Sequence, residues 1–273
     1  MEVYQIFRVQ FFQYQSMLFV EFPEGREILR RVLAGTLERH LKTRSYYALE
    51  KQDAQHGNVY FKFARSRKVH TNEISQGEIV EKEHPDYPFV EVLINIELGV
   101  CAIGRNSDFS TSITHSANML SKLFDSSVVS KELNAVATID PIIDPTGFIE
   151  HLNNAELISK FYFEVKHPNA FDADDFVVPL KKLNKAGRSH YSRTILTGGN
   201  LDKEIAEGLS RSSASTGDDA GATMKLPESK KLVRKSLGKN HVFIEAKNKI
   251  IDNFTEFSNV LKKKYREVRN ANE

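Results

Sequence analysis

Tryptophan is absent from this chain of 273 residues, and cysteine occurs once. A single Cys101 excludes an internal disulfide and fits a reducing compartment. It stands in the apolar run "LGVCAIG", where a buried, inert thiol is expected rather than a nucleophile. Long hydrophobic runs are missing too, since none approaches the ~18 residues that a membrane-spanning helix needs. The opening "MEVYQIFRVQFFQYQ" lacks the basic start and unbroken apolar stretch of a secretion signal. These absences lead to the expectation of a cytoplasmic protein with no direct membrane insertion, whose dealings with a membrane go through a partner.

What is present is ordinary in sum and uneven in detail. Hydrophobic residues make up 40% and charged residues 27%, the composition of a globular protein. The length supports one substantial core or two small ones. The net charge of +2 hides an asymmetry: from Met224 onward 13 Lys or Arg face 6 Asp or Glu, a net of +7 that leaves about −5 for the rest. A basic region on an otherwise acidic chain points to an acidic partner.

Hydrophobic periodicity predicts a mixed α+β fold. Residues 2–14 read as a strand rich in aromatic and branched side chains. Ile28, Leu29, Val32, Leu33, Leu37 and Leu41 recur at helical spacing over 24–42, with Arg26, Arg30, Arg31, Arg39 and Lys42 on the outward face. "NVYFKFARSRKV" alternates as a strand, and "YPFVEVLINIELGVCAIGRN" reads as a β-hairpin turning at "ELG". A helix capped by Ser110 or Thr111 follows, then a strand over 134–140, a short helix from Pro145 to Asn154, and the strand "FYFEVK". A helix at 201–210 leads into "RSSASTGDDAGAT" (211–223), whose small polar residues suggest a mobile loop. "HVFIEAKN" reads as a strand and "IIDNFTEFSNVLKKKYREV" as a closing helix. The expected organisation is a mostly antiparallel N-terminal region over 1–130 with flanking helices, then a smaller α/β region over 131–273 ending in a basic helix.

Glu164 and Lys166 form a Glu-x-Lys pair on one face of a strand, the second half of a metal-dependent nuclease signature. The first half requires a carboxylate close enough to share Mg²⁺, and "IDPIIDP" offers Asp140 and Asp144, the latter being the candidate. Asp144 precedes Pro145, however, and Asp-Pro is an ordinary helix opening. Glu-x-Lys also recurs as Glu228/Lys230 and Glu245/Lys247. Alternation alone places Phe161, Phe163 and Val165 inward and Tyr162, Glu164 and Lys166 outward. No metal or cofactor is therefore expected, with Mg²⁺ required only if the chain is a nuclease. "FDADDF" (Asp172, Asp174, Asp175) lacks the glycine and distal Glu of a calcium loop. "ILTGGNLDKEI" lacks the Lys-Ser/Thr of a P-loop. The nine histidines stand singly, without zinc-ligand spacing. Ser116 beside His115 has no elbow motif and no identifiable acid partner.

The basic residues carry the stronger signal. "SKKLVRKSLGKN" supplies Lys230, Lys231, Arg234, Lys235 and Lys239, and "LKKKYREVR" supplies Lys262, Lys263, Lys264, Arg266 and Arg269 around Tyr265. Such clusters bind a phosphate backbone by releasing its counterions, without reading sequence. Arg65, Arg67 and Lys68 in "ARSRKV" are candidates to extend that surface. A docking helix for an acidic protein is the remaining alternative.

The hairpin "PFVEVLINIELGVCAIGRNSDFS", the helix "TSITHSANMLSKLF", the strand "AVATIDPI" and the ending "GKNHVFIEAKNKI…KKKYREV" together resemble the RexA-type phage-exclusion sensors, known from phage lambda. The resemblance is one of layout and length, and covers about half the chain. It implies a cytoplasmic, non-enzymatic protein that binds double-stranded DNA with little sequence preference, as a homodimer. It further implies an antiphage role in which infection is reported to an effector, in that family a membrane protein.

Overall fold

The computed structural model describes residues 1–13, 22–54, 57–75, 78–166 and 191–269. The fold is α+β, and its centre is strand β1 (Glu2–Gln13). Its first half pairs with β14 (Phe243–Ala246), its second half with β9 (Ala135–Pro141), and its other edge with β8 (Val100–Gly104), all antiparallel. The sheet continues through β7 (Phe89–Asn95), β4 (Asn58–Arg65), β3 (Ser45–Ala54) and the short β2 (Glu38–His40). Both faces of this sheet are covered, which is why β1, β7 and β8 are buried almost throughout rather than on one face only, polar Gln5, Arg8, Gln10 and Glu91 included.

Each face feeds a different core. Phe7, Val9 and Phe11 of β1 pack with Val92, Ile94, Cys101 and Ile103 against α1 (Gly25–Ala34), α2 (Ile113–Asp125) and α3 (Val128–Leu133). Tyr4, Ile6, Leu93 and Ala102 point the other way. They join α4 (Thr146–Asn154), α5 (Lys203–Thr216) and α6 (Phe254–Arg269), and through them a second sheet. That four-stranded antiparallel sheet runs β11 (Tyr191–Thr197), β10 (Leu157–Lys166), β12 (Ala220–Lys225), β13 (Val233–Ser236). Ile158, Phe161, Phe163, Val165, Ala222 and Met224 fill its inner face. The second core is therefore built from both halves of the chain. Cys101 is fully buried in the first, and burial pushes its thiol pKa up, as expected of an inert group.

The predicted elements shift in instructive places. The first helix stops at Ala34 rather than reaching 42, because Gly35 takes an extended conformation and Glu38–His40 form β2 instead. Leu37 is buried beside that sheet, whereas Leu41 is exposed, so its helical spacing was incidental. Ser112, not Ser110 or Thr111, caps α2 by accepting from the His115 N–H. The stretch 211–223 is not a loop: α5 runs to Thr216, Gly217 turns the chain, and β12 starts at Ala220. Its small residues reflect close packing. Ser212, Ser213, Ala214 and Ser215 are buried, and the Ser215 and Thr216 hydroxyls donate to the carbonyl of Ser212, so burial leaves them satisfied. The acidic "FDADDF" lies outside the described residues.

Between β4 and β7 the chain makes an excursion that sequence reading largely missed, the ribbon β5 (Arg67–Ser75) and β6 (Glu78–Asp86), paired over nine positions. Its cations are matched with carboxylates: Arg67 with Asp86, Lys68 with Glu83, and Lys82 with Glu73.

Gly217 has φ of +75°, and a Cβ there would lie 2.8 Å from Asp140 Cβ and 3.0 Å from the Pro141 carbonyl. Left-handed strain and contact with backbone add together at this site. Gly217→Ala is expected to cost about 1–3 kcal/mol, seen as a lower urea midpoint with an unchanged slope. An unchanged midpoint contradicts the packing described for this turn.

Candidate nucleic-acid interface

The register of the small sheet arranges its outer face in rows. Thr197, Lys160, Thr223 and Arg234 form one row, and Ile195, Tyr162, Gly221 and Ser236 the next, with Arg193 beside Glu164 beyond them. Lys160, Arg193, Ile195 and Arg234 are exposed, so the face is open to solvent at these positions. Tyr162 is only 7% exposed because its neighbours cover it. The ring lies across Gly221, where a Cβ would come within 2.5 Å of Tyr162 Cε1. Any other residue there would push the ring off the sheet.

Two guanidinium groups lie over this one ring. The Arg193 Cζ is 4.9 Å and the Arg234 Cζ 5.3 Å from the Tyr162 centroid, within the range of attraction between a cation and an aromatic face. The Tyr162 hydroxyl donates to Asp219 Oδ2 at 3.0 Å. Burial raises the Tyr162 pKa, the Asp219 carboxylate adds to the rise, and Arg234 opposes it. Glu164, 8% exposed, holds Arg193. It accepts from Arg193 Nε at 3.1 Å and from the Tyr191 hydroxyl at 2.8 Å. That hydrogen bond to the carboxylate is the chief reason the Arg193 pKa is raised.

Two of the nuclease candidates, Glu164 and Asp144, already have partners of their own. Glu164 occupies the outer face as alternation predicts, but it is buried there and engaged with Arg193. Asp144 bonds to the backbone N–H and hydroxyl of Thr146, at 3.0 and 2.6 Å, at the opening of α4. The Lys166 side chain lies outside the described residues. Among the described residues no three His, Cys, Asp or Glu side chains gather as a metal site.

The basic candidates fall into three places. Lys230, Lys231, Arg234, Lys235 and Lys239 lie on β13 or immediately beside it, at the edge of the small sheet. Four of the five are exposed and Lys235 is half-buried. Among the described residues no ion pair joins any of them to a carboxylate. Lys262, Lys263, Lys264 and Arg266 lie on α6, whose other side buries Phe257, Leu261, Tyr265 and Val268. Lys264 pairs with Glu267 at 3.1 Å. Cations at the end of a helix also complement its dipole. Arg65 donates to the Asp108 carbonyl at 2.9 Å, and Arg67 and Lys68 belong to the neutralised ribbon. Among the described residues no hydrogen bond or ion pair links the three groups.

Sequence reasoning missed Arg193 and the role of Tyr162. The signal available was "YSRTIL", a short alternating run ahead of Gly198 and Gly199, but its partner strand becomes known only from the pairing. Protein-family comparison finds no matching family for this chain, and comparison with curated proteins finds no match. Among the described residues no helix is long and apolar enough to cross a membrane.

Glu164→Gln keeps the shape and can still bond to Tyr191 while losing the ion pair. It is expected to cost about 1 kcal/mol, and millimolar Mg²⁺ is expected to leave the melting temperatures of wild type and variant unmoved. A Mg²⁺-dependent rise in wild type that disappears in the variant would instead make Glu164 a metal ligand.

Proposed function

We propose that this protein is a binding protein rather than a catalyst, a cytoplasmic DNA-binding sensor or regulator that takes double-stranded DNA with little sequence preference. The observation that carries the reading is the edge of the small sheet. Five cations, Lys230, Lys231, Arg234, Lys235 and Lys239, gather there without a carboxylate partner among the described residues, whereas the ribbon's cations are matched one by one. An unmatched cluster gains most from a polyanion, because no internal ion pair has to be broken first. Edge strands also carry lysine to discourage pairing with another sheet. Of the five, only Arg234 and Lys235 lie on the strand itself, so that role leaves Lys230, Lys231 and Lys239 unexplained.

The antiphage setting, the homodimer and the effector through which the protein acts rest on the resemblance in layout to phage-exclusion sensors. The effector is a membrane protein in that reading, and the α6 cluster is a second surface for DNA or for that partner. No cofactor is required.

Five backbone contacts would make affinity fall on the order of 10²–10³-fold between 50 and 200 mM salt. Changing Lys230, Lys231 and Lys239 to Gln is expected to weaken duplex binding at least tenfold and to flatten the salt dependence by a slope of about 3. The same exchange at Lys262, Lys263 and Arg266 is expected to cost less. Gel shifts across a salt series decide this, and undiminished binding by the first variant removes the edge from the account.

A further inference from the structure

We propose that the outer face of the small sheet binds unpaired bases, so that the preferred ligand is nucleic acid carrying a single-stranded stretch. This rests on the nucleic-acid reading above and adds to it a site and a strand state. The lysine edge offers charge, which any phosphate backbone satisfies. The face beside it offers something else, two guanidinium planes held over Tyr162 and an isoleucine, Ile195, that is 51% exposed in the same row.

Guanidinium planes are stacking partners for bases that have left a helix, and apolar side chains add sequence-tolerant contact. In a duplex the base faces are already stacked on one another, so a sheet can meet phosphates and base edges but not those faces. In a single strand those faces are free. The arginines are also held in advance. Glu164 fixes Arg193 through Nε and the terminal nitrogen, and Arg234 lies against the Tyr162 ring, whose hydroxyl donates to Asp219. A base arriving there meets side chains whose ordering cost has been met on folding.

A purely structural role, pinning β11 and β13 to the sheet, would explain the Arg193–Glu164 pair. It does not explain why Arg234 has no carboxylate partner among the described residues. Nor does it explain an exposed Ile195 beside Tyr162, on the edge strand β11. Charge complementarity supports the same occupant, since Lys160 and the two arginines outnumber Glu164 and Asp219 on this surface and the lysine edge adjoins it.

The test exchanges plane for point charge. Arg193→Lys with Arg234→Lys keeps both cations, and the pairing with Glu164, while removing both guanidinium planes. Anisotropy titrations would use one mixed-sequence oligonucleotide, single-stranded and as a duplex, at one salt concentration. Wild type is expected to bind the single strand more tightly. The double variant is expected to lose about tenfold on the single strand, the scale of one base stack, and less than twofold on the duplex. Equal losses on both, or none on either, overturn the proposal while leaving the lysine edge standing. Wild type that binds neither oligonucleotide overturns this proposal and the reading beneath it together. Should the double variant melt early, Arg234→Lys alone is read, with a single-strand loss of about threefold expected and an unchanged affinity counting against the proposal.

Discussion

Alternation along β10 is the constraint on which the candidate surface depends. Ile158, Phe161, Phe163 and Val165 are buried in the core that joins the two sheets, and each such side chain contributes about 1.5–3 kcal/mol relative to exposure. No single ion pair on the outer face competes with that sum. The inner residues therefore set the register, and Tyr162 and Glu164 are carried outward as a consequence. What evolution is free to choose is the company they keep. Here that company is Arg193, Arg234 and a glycine small enough to let the tyrosine lie flat.

Charge then separates binding surface from scaffold. The ribbon of β5 and β6 looks basic at its start in the sequence, but pairing places a carboxylate against each lysine and arginine. On β13 and its flanks no such matching occurs among the described residues. The total of +2 is thus a poor guide, and the informative quantity is which cations remain unmatched after folding. Polyanion affinity follows that remainder, and so does its sensitivity to salt.

Much of this was legible before folding was considered. The hairpin around "ELG" and the alternation of "FYFEVK" follow from local chemistry, although Tyr162 and Glu164 are buried on the outer face rather than solvated. The helix after Asp144 opens one residue later than the Asp-Pro pair suggests, at Thr146. The misreadings have two causes, composition read where tertiary packing decides and periodicity carried past a local break. Ser212 to Ser215 looked like a mobile loop because they are small and polar, yet smallness is what lets α5 pack closely between its neighbours. Leu41 matched a helical stripe that Gly35 had already ended. The partnership of Tyr162 with Arg193 and Arg234 was out of reach, because the two arginines stand 31 and 72 positions after the tyrosine, on different strands.

The central claim is that nucleic acid meets the outer face and the β13 edge of the small sheet. Amide hydrogen exchange with and without an oligonucleotide tests it most directly, because it reports location without altering a residue. Slowed exchange over 191–197 and 228–239, with α1 and the β5–β6 ribbon unchanged, is the predicted result. Protection confined to α6, or none at any segment under conditions that shift the oligonucleotide, would contradict the account.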